Sequence, residues 1–277
     1  MCAFATFAGI LFGYDTGYVS SVIGMTSFKK AYGNPSTGTY TTSEKSLIVS
    51  ILSCGTFFGA LISASLADRF GRRTIVITGC IGFAIGVVVQ VAIISIPALV
   101  VGRLISGFGV GFISAVNIMY LSETAPRNIR GMIVSCYQFS ITVGIMLASV
   151  VGYATRDRPG YSAFRIPISI QFVWATVLTT GLLFMPESPR YYVKKGKLDK
   201  AMKALARVRG QSIESDYVLM ELAEIQANYL YEQQLGEVSW LGCFKGGVFN
   251  SNSNARKIFI GTSIQMMQQF TGINFIF

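Results

Sequence analysis

The sequence predicts an all-α protein that crosses a membrane several times, and three observations carry that reading. Of 277 residues, 52% are hydrophobic and only 13% charged, about half the charge of a soluble domain. Uncharged stretches such as Ile75 to Val101 exceed the roughly 20 residues a helix needs to cross the hydrocarbon core. Such runs recur along the chain with short basic clusters between them. Helices are the one solution for isolated segments of this length, because each must satisfy its own backbone polar groups in lipid.

Hydropathy places spans at about residues 3–24, 47–66, 74–95, 98–121, 131–153 and 166–185, with a seventh starting near 258. The first run begins at Met1 without a basic leader and continues past Gly13, Asp15 and Gly17, which argues against a cleaved signal peptide. Met1 thus starts inside a span, and the N-terminus is expected to be incomplete. Short-loop arginines set the orientation. Arg69, Arg72 and Arg73 follow span 2, Arg127 and Arg130 follow span 4, and Lys and Arg crowd the segment after span 6. These share one side, expected to be the cytoplasm, so the N-terminus is cytoplasmic. The other side carries Lys29, Lys30, Lys45, Arg156, Arg158 and Arg165, so the bias is incomplete.

Residues 187–257 differ in kind. Leu198, Met202, Leu205 and Val208 recur at helical spacing among basic residues, and Leu219, Leu222, Ile225 and Tyr229 do so among acids. They predict amphipathic cytoplasmic helices docked under the bundle, with a membrane-surface helix as the rival. The net charge of +10 falls in inter-span clusters rather than on one polar face, which speaks against nucleic-acid binding. Cys54, Cys80 and Cys136 lie inside spans, Cys2 at the start and Cys243 in a polar segment, with no disulfide or metal spacing.

Spans 1 and 4 share the pattern Gly-aromatic-x-x-Gly-aromatic-branched-Ser-small-Val, from Gly13 to Val22 and from Gly107 to Val116. Inverted three-helix repeats produce such pairs, although Gly-x-x-x-Gly also recurs at Gly55/Gly59 and Gly82/Gly86 as ordinary helix packing.

Asp15 is alone in the first span and Arg103 is the one charge in the fourth. Leaving either unpaired in lipid costs several kcal/mol, and their depths suit an ion pair. Such a pair serves either as a proton switch or as a permanent lock between helices. For a neutral hydroxylated ligand, amides that both donate and accept are the apt groups: Gln138 in span 5, and Gln268, Gln269 and Asn274 in the seventh. Phe139, Phe270 and Phe275 lie near them, and helix packing is the competing role for each. At three helix ends, acids accompany the arginines: Asp68, Arg72 and Arg73; Glu123, Arg127 and Arg130; Glu187 and Arg190. Topology accounts for the arginines but not for the acids, so a network that opens and closes with conformation is expected. The chain has no His, no Gly-rich phosphate loop and no metal cluster. Neither an enzymatic activity nor a cofactor is expected.

These residues resemble the sugar porter family of the major facilitator superfamily, and within it the fungal hexose transporters. The resemblance rests on GYDTG at Gly13 to Gly17, DRFGRR at Asp68 to Arg73 and GR at Gly102 and Arg103. It continues through YLSETAPRNIRG at Tyr120 to Gly131, PESPR at Pro186 to Arg190 and QQFTGIN at Gln268 to Asn274. Six motifs in family order cover nearly the whole chain. The resemblance implies a major facilitator fold. Residues 1–186 would form the N-terminal six-span bundle, 187–257 a cytoplasmic helical segment, and 258–277 the start of the seventh span, with the C-terminal bundle missing from these residues. It implies transport of a monosaccharide, a hexose such as glucose, across the plasma membrane by alternating access in the full-length form. Gln138, Gln268, Gln269 and Asn274 match positions that hydrogen-bond sugar hydroxyls, and Asp15 and Arg103 match the pair of proton-coupled members. Fungal facilitators also carry that Asp, so coupling stays open. The alternatives are a non-transporting glucose sensor on the same fold, a truncated remnant, and a polyol or quinate-type permease.

Overall fold

The computed structural model describes residues 2–33, 41–158, 160–234 and 253–271. The first apolar segment folds as α1 (Cys2–Ala5) and α2 (Ala8–Gly24). The expected continuous span is interrupted at Thr6 and Phe7, where the bonds Phe7 N–H to Phe4 O and Gly9 N–H to Thr6 O, both 2.9 Å, replace the α-helical pattern with a tighter one. The turn sets Phe7 against Trp174, ring centroids 5.7 Å apart. The short α3 (Thr26–Tyr32) follows, then α4 (Thr42–Phe70), α5 (Arg72–Ala92), α6 (Ile96–Thr124), a 3-10 turn (Arg127–Ile129), α7 (Arg130–Thr155) and α8 (Ser162–Phe184). Helices α4 to α8 are long and apolar enough to cross a membrane. Helix α2, at 17 residues, is about 25 Å long and continues the first apolar segment after α1. The chain is thus a multi-pass membrane protein, and five of the six anticipated spans coincide with the five long apolar helices.

Local signals explain the ends. A reciprocal capping box opens α4: Thr41 N–H donates to Glu44 Oε2 at 2.8 Å while Glu44 N–H donates to Thr41 Oγ1. Ser95 caps α6 by accepting from Ala98 N–H. The sharp corner between α4 and α5 is Gly71, at φ +99°, a conformation that favours glycine.

Helices pack through glycine seams that let backbones approach closely. On α6, Gly107 lies on Gly55 of α4, and a Cβ at Gly111 would sit 2.5 Å from Thr56 O. On α2, Gly9, Gly13 and Gly17 lie on Tyr137, Ile141 and Ile145 of α7. The equivalent glycines of spans 1 and 4 therefore serve equivalent contacts, span 1 on span 5 and span 4 on span 2. An inverted repeat requires this exchange.

Beyond α8 come α9 (Pro189–Lys194), α10 (Leu198–Arg209), α11 (Asp216–Gln234) and α12 (Asn254–Phe270). Contacts group the chain into two compact units, Met1–Leu222 and Ala223–Phe277. In the first unit α10 buries Ala201, Ala204, Leu205 and Ala206, so its apolar side is used in protein contact. Of the anticipated stripes, Leu205 and Leu222 are buried, whereas Leu198 and Leu219 are exposed, and Val218, not anticipated, is buried one turn before Leu222. In the second unit α12 starts four residues before the expected position, because Ser253 accepts a bond from Ala255 N–H and caps it.

Candidate functional site

A buried polar cluster lies among α2, α5 and α6. Tyr18 donates to Gln90 Oε1 at 2.9 Å, Gln90 Nε2 donates to Ser106 Oγ at 3.3 Å, and Ser106 donates to Arg103 O at 3.1 Å. Asp15 and Arg103 are 1% and 3% exposed. They do not form the anticipated salt bridge. The Arg103 guanidinium instead stands 5.7 Å from the Tyr18 ring centroid, a cation–π contact. Neither Asp15 oxygen has a hydrogen-bond partner among the described residues. Tyr18 follows Asp15 by three residues on one helix face, so the ring that the Arg103 guanidinium stands over lies on the same side of α2 as the carboxylate.

Sequence reasoning passed over Gln90, Asn117 and Gln171, which carry the same signal as Gln138, an amide inside an apolar run. All three are buried. Asn117 Nδ2 donates to Ala5 O at 2.9 Å and ties α6 to α1. Gln138 differs because it is exposed on α7, with Ser135, Thr142 and Ser149 on the same stripe. Phe139 beside it is 70% exposed. The contact face of α7 against α2, by contrast, is Tyr137, Ile141 and Ile145. Gln268 and Gln269 are exposed on α12, and Asn274 and Phe275 lie outside the described residues.

The third feature is an ionic network at the end of the bundle where α4, α6 and α8 finish. Arg72, buried, pairs through Nη2 with Asp68 Oδ1 at 3.0 Å and Glu123 Oε1 at 3.2 Å. The Glu187 carboxylate accepts from the backbone N–H groups of Arg72, Arg73 and Ser188 at 2.9 to 3.0 Å. It thereby sits on the N-terminus of α5, where negative charge is favoured by the helix dipole. Ser188 donates to the other Glu123 oxygen, and Lys194 bonds Asp68 at 2.8 Å. Arg73 reaches across to Leu183 O at 2.8 Å. Burial, with Glu187 beside it, raises the Tyr192 phenol above its ordinary value. Asp68, Arg72, Arg73, Glu123 and Glu187 are therefore brought together as anticipated. Arg130 and Arg190 are not, since neither forms an ion pair among the described residues, and the Arg127 side chain lies outside the described residues.

The helix seams, the buried pair and this network can be set beside known proteins. The chain is 46% identical over 275 residues to the high glucose sensor RGT2 of Saccharomyces cerevisiae, covering 99% of this chain and 36% of that one. It is 42% identical over 280 residues to the probable glucose transporter rco-3 of Neurospora crassa, with coverages of 99% and 46%. The solved structure of the proton:xylose symporter XylE bound to 6-bromo-6-deoxy-D-glucose matches with a TM-score of 0.78 at 27% identity, covering 99% of this chain and 60% of that one. The chain spans about half or less of the length of these curated relatives. The model of the sugar (and other) transporter family matches residues 1–277; the chain belongs to that family.

Proposed function

We propose that these residues are the N-terminal bundle of a plasma-membrane hexose transporter that works by alternating access, its N-terminus in the cytoplasm. The observation that carries this reading is the exposed α7 stripe of Gln138 and its hydroxyl neighbours. It offers donors and acceptors without charge, the chemistry a neutral sugar needs, on a helix whose adjoining face is fixed to α2. Residues 1–186 form the bundle, 187–257 a cytoplasmic segment, and 258–277 begin a second bundle, whose Gln268, Gln269 and Asn274 offer a sugar the same amide chemistry. The Asp68, Arg72, Arg73, Glu123 and Glu187 network acts as the gate that holds one conformation, with Arg127, Arg130 and Arg190 joining it in others. Asp15 and Arg103 respond to protons. No catalytic step or cofactor enters this reading.

A glucose sensor on the same fold is the second reading, favoured by the identity to RGT2. Uptake of labelled glucose, xylose and a polyol by transporter-deficient cells that express the full-length form, with and without a protonophore, separates the two. A transporter gives saturable glucose uptake; a sensor gives none while still triggering a glucose response. Asp15→Asn is expected to abolish uphill accumulation while leaving exchange intact. Uptake indifferent to the protonophore contradicts the proton role.

A further inference from the structure

The arginines that the orientation rule leaves unexplained are Arg156, Arg158 and Arg165, at the end of the bundle opposite the ionic network. We propose that this end carries a binding site for an anionic phospholipid, centred on Arg165. Arg165 lies in the first turn of α8, only about 5 Å along the axis from its start, which is headgroup depth for a membrane-crossing helix. Its Nε is buried without a hydrogen-bond partner, and it has no acidic partner among the described residues. The guanidinium stands 5.7 Å from the Tyr161 ring centroid, leaving its edge for an acceptor.

A cleft of about 500 Å³ opens beside it, lined by Tyr161, Ser162, Arg165, Ile166, Ser169 and Ile170, with Val173 at its far end. Its composition is graded. The charged and hydroxyl groups lie toward the start of α8, while Ile166, Ile170 and Val173 continue toward the membrane interior. Val177, also exposed, extends that apolar row at helical spacing. A phosphodiester matches the guanidinium fork and the Ser169 hydroxyl, and an acyl chain matches the row below. Tyr153 and Tyr161, both well exposed, sit where interfacial aromatics are favoured. Arg156 and Arg158 are exposed in the α7–α8 connection with Asp157 as the sole acid there. That excess of positive charge selects a net-negative headgroup over a zwitterionic one.

The test is native mass spectrometry of the full chain purified in detergent, titrated with phosphatidylglycerol, with phosphatidylcholine of the same acyl chains, and with inorganic phosphate. Phosphatidylglycerol is expected to be retained preferentially, and Arg165→Gln to weaken its retention about fivefold, with Arg165→Lys recovering part of the loss. Val173→Trp, at an exposed position where folding is undisturbed, is expected to block the apolar wall and weaken retention independently. Equal retention by wild type, Arg165→Gln and Val173→Trp overturns the proposal. So does equal binding of the two lipids, or competition by inorganic phosphate at the same concentration, which would leave a simple anion pocket.

Discussion

Single residues in this protein are distinguished by where their polar atoms end. Glu187 accepts from two backbone N–H groups at the start of α5, those of Arg72 and Arg73, and from that of its neighbour Ser188. Glu187→Ala orphans two buried donors at a helix N-terminus and is expected to cost about 1–3 kcal/mol for each group left unmet. Glu187→Gln keeps an acceptor oxygen and is expected to melt between Ala and wild type in a thermal denaturation series. Equal melting of Ala and Gln would show that charge, not acceptance, matters. Chemical identity at this scale was readable in the sequence, whereas direction was not. Gln90, Gln138 and Gln171 look alike as amides in apolar runs, and only packing decides that Gln138 faces outward. The Tyr18 contact of Arg103 was hidden in the same way, because depth along two helices says nothing about a ring three residues after Asp15 on the same face, over which the guanidinium stands. The acids at the helix ends were legible because topology had no use for them.

At the scale of elements, close approach of helix backbones depends on missing side chains. Gly111→Ala places a Cβ 2.5 Å from Thr56 O, so α4 and α6 must separate; overpacking of this kind costs about 1–3 kcal/mol. Gly13→Ala, on the repeat-related helix, is expected to do the same between α2 and α7, because its Cβ would run into the Ile141 backbone. Gly131→Ala meets nothing within 4 Å and serves as the control. Detergent-resistant folded yield checks all three, and an unaffected Gly111→Ala protein would contradict the seam. The helices themselves were legible from length and apolar content. The break at Thr6 and Phe7 was not, because it answers to the tertiary contact between Phe7 and Trp174, and neither was the burial of Val218 where Leu219 was anticipated.

At the scale of the molecule, the segment after α8 is joined to the bundle by side chains that reach the ends of spans. Arg207 donates to Phe184 O, and Arg209 donates to Thr124 O at 2.9 Å while pairing with Glu221. These arginines supply donors to carbonyls left over at helix C-termini. Arg209→Ala releases α11 from α6, and limited proteolysis is expected to cut faster between α10 and α11 while the spans stay protected; an unchanged cleavage rate would deny the latch. The claim that unites the three scales is that the outward α7 stripe is one wall of a sugar path. Entrance counterflow of labelled glucose in proteoliposomes, with the full-length form and its Gln138→Ala variant, tests it most directly. Exchange by the parent and a rise of about tenfold in half-saturating glucose for Gln138→Ala, as loss of one or two good hydrogen bonds implies, is the expected result. Absence of exchange in the parent, or identical half-saturation in both, would contradict it.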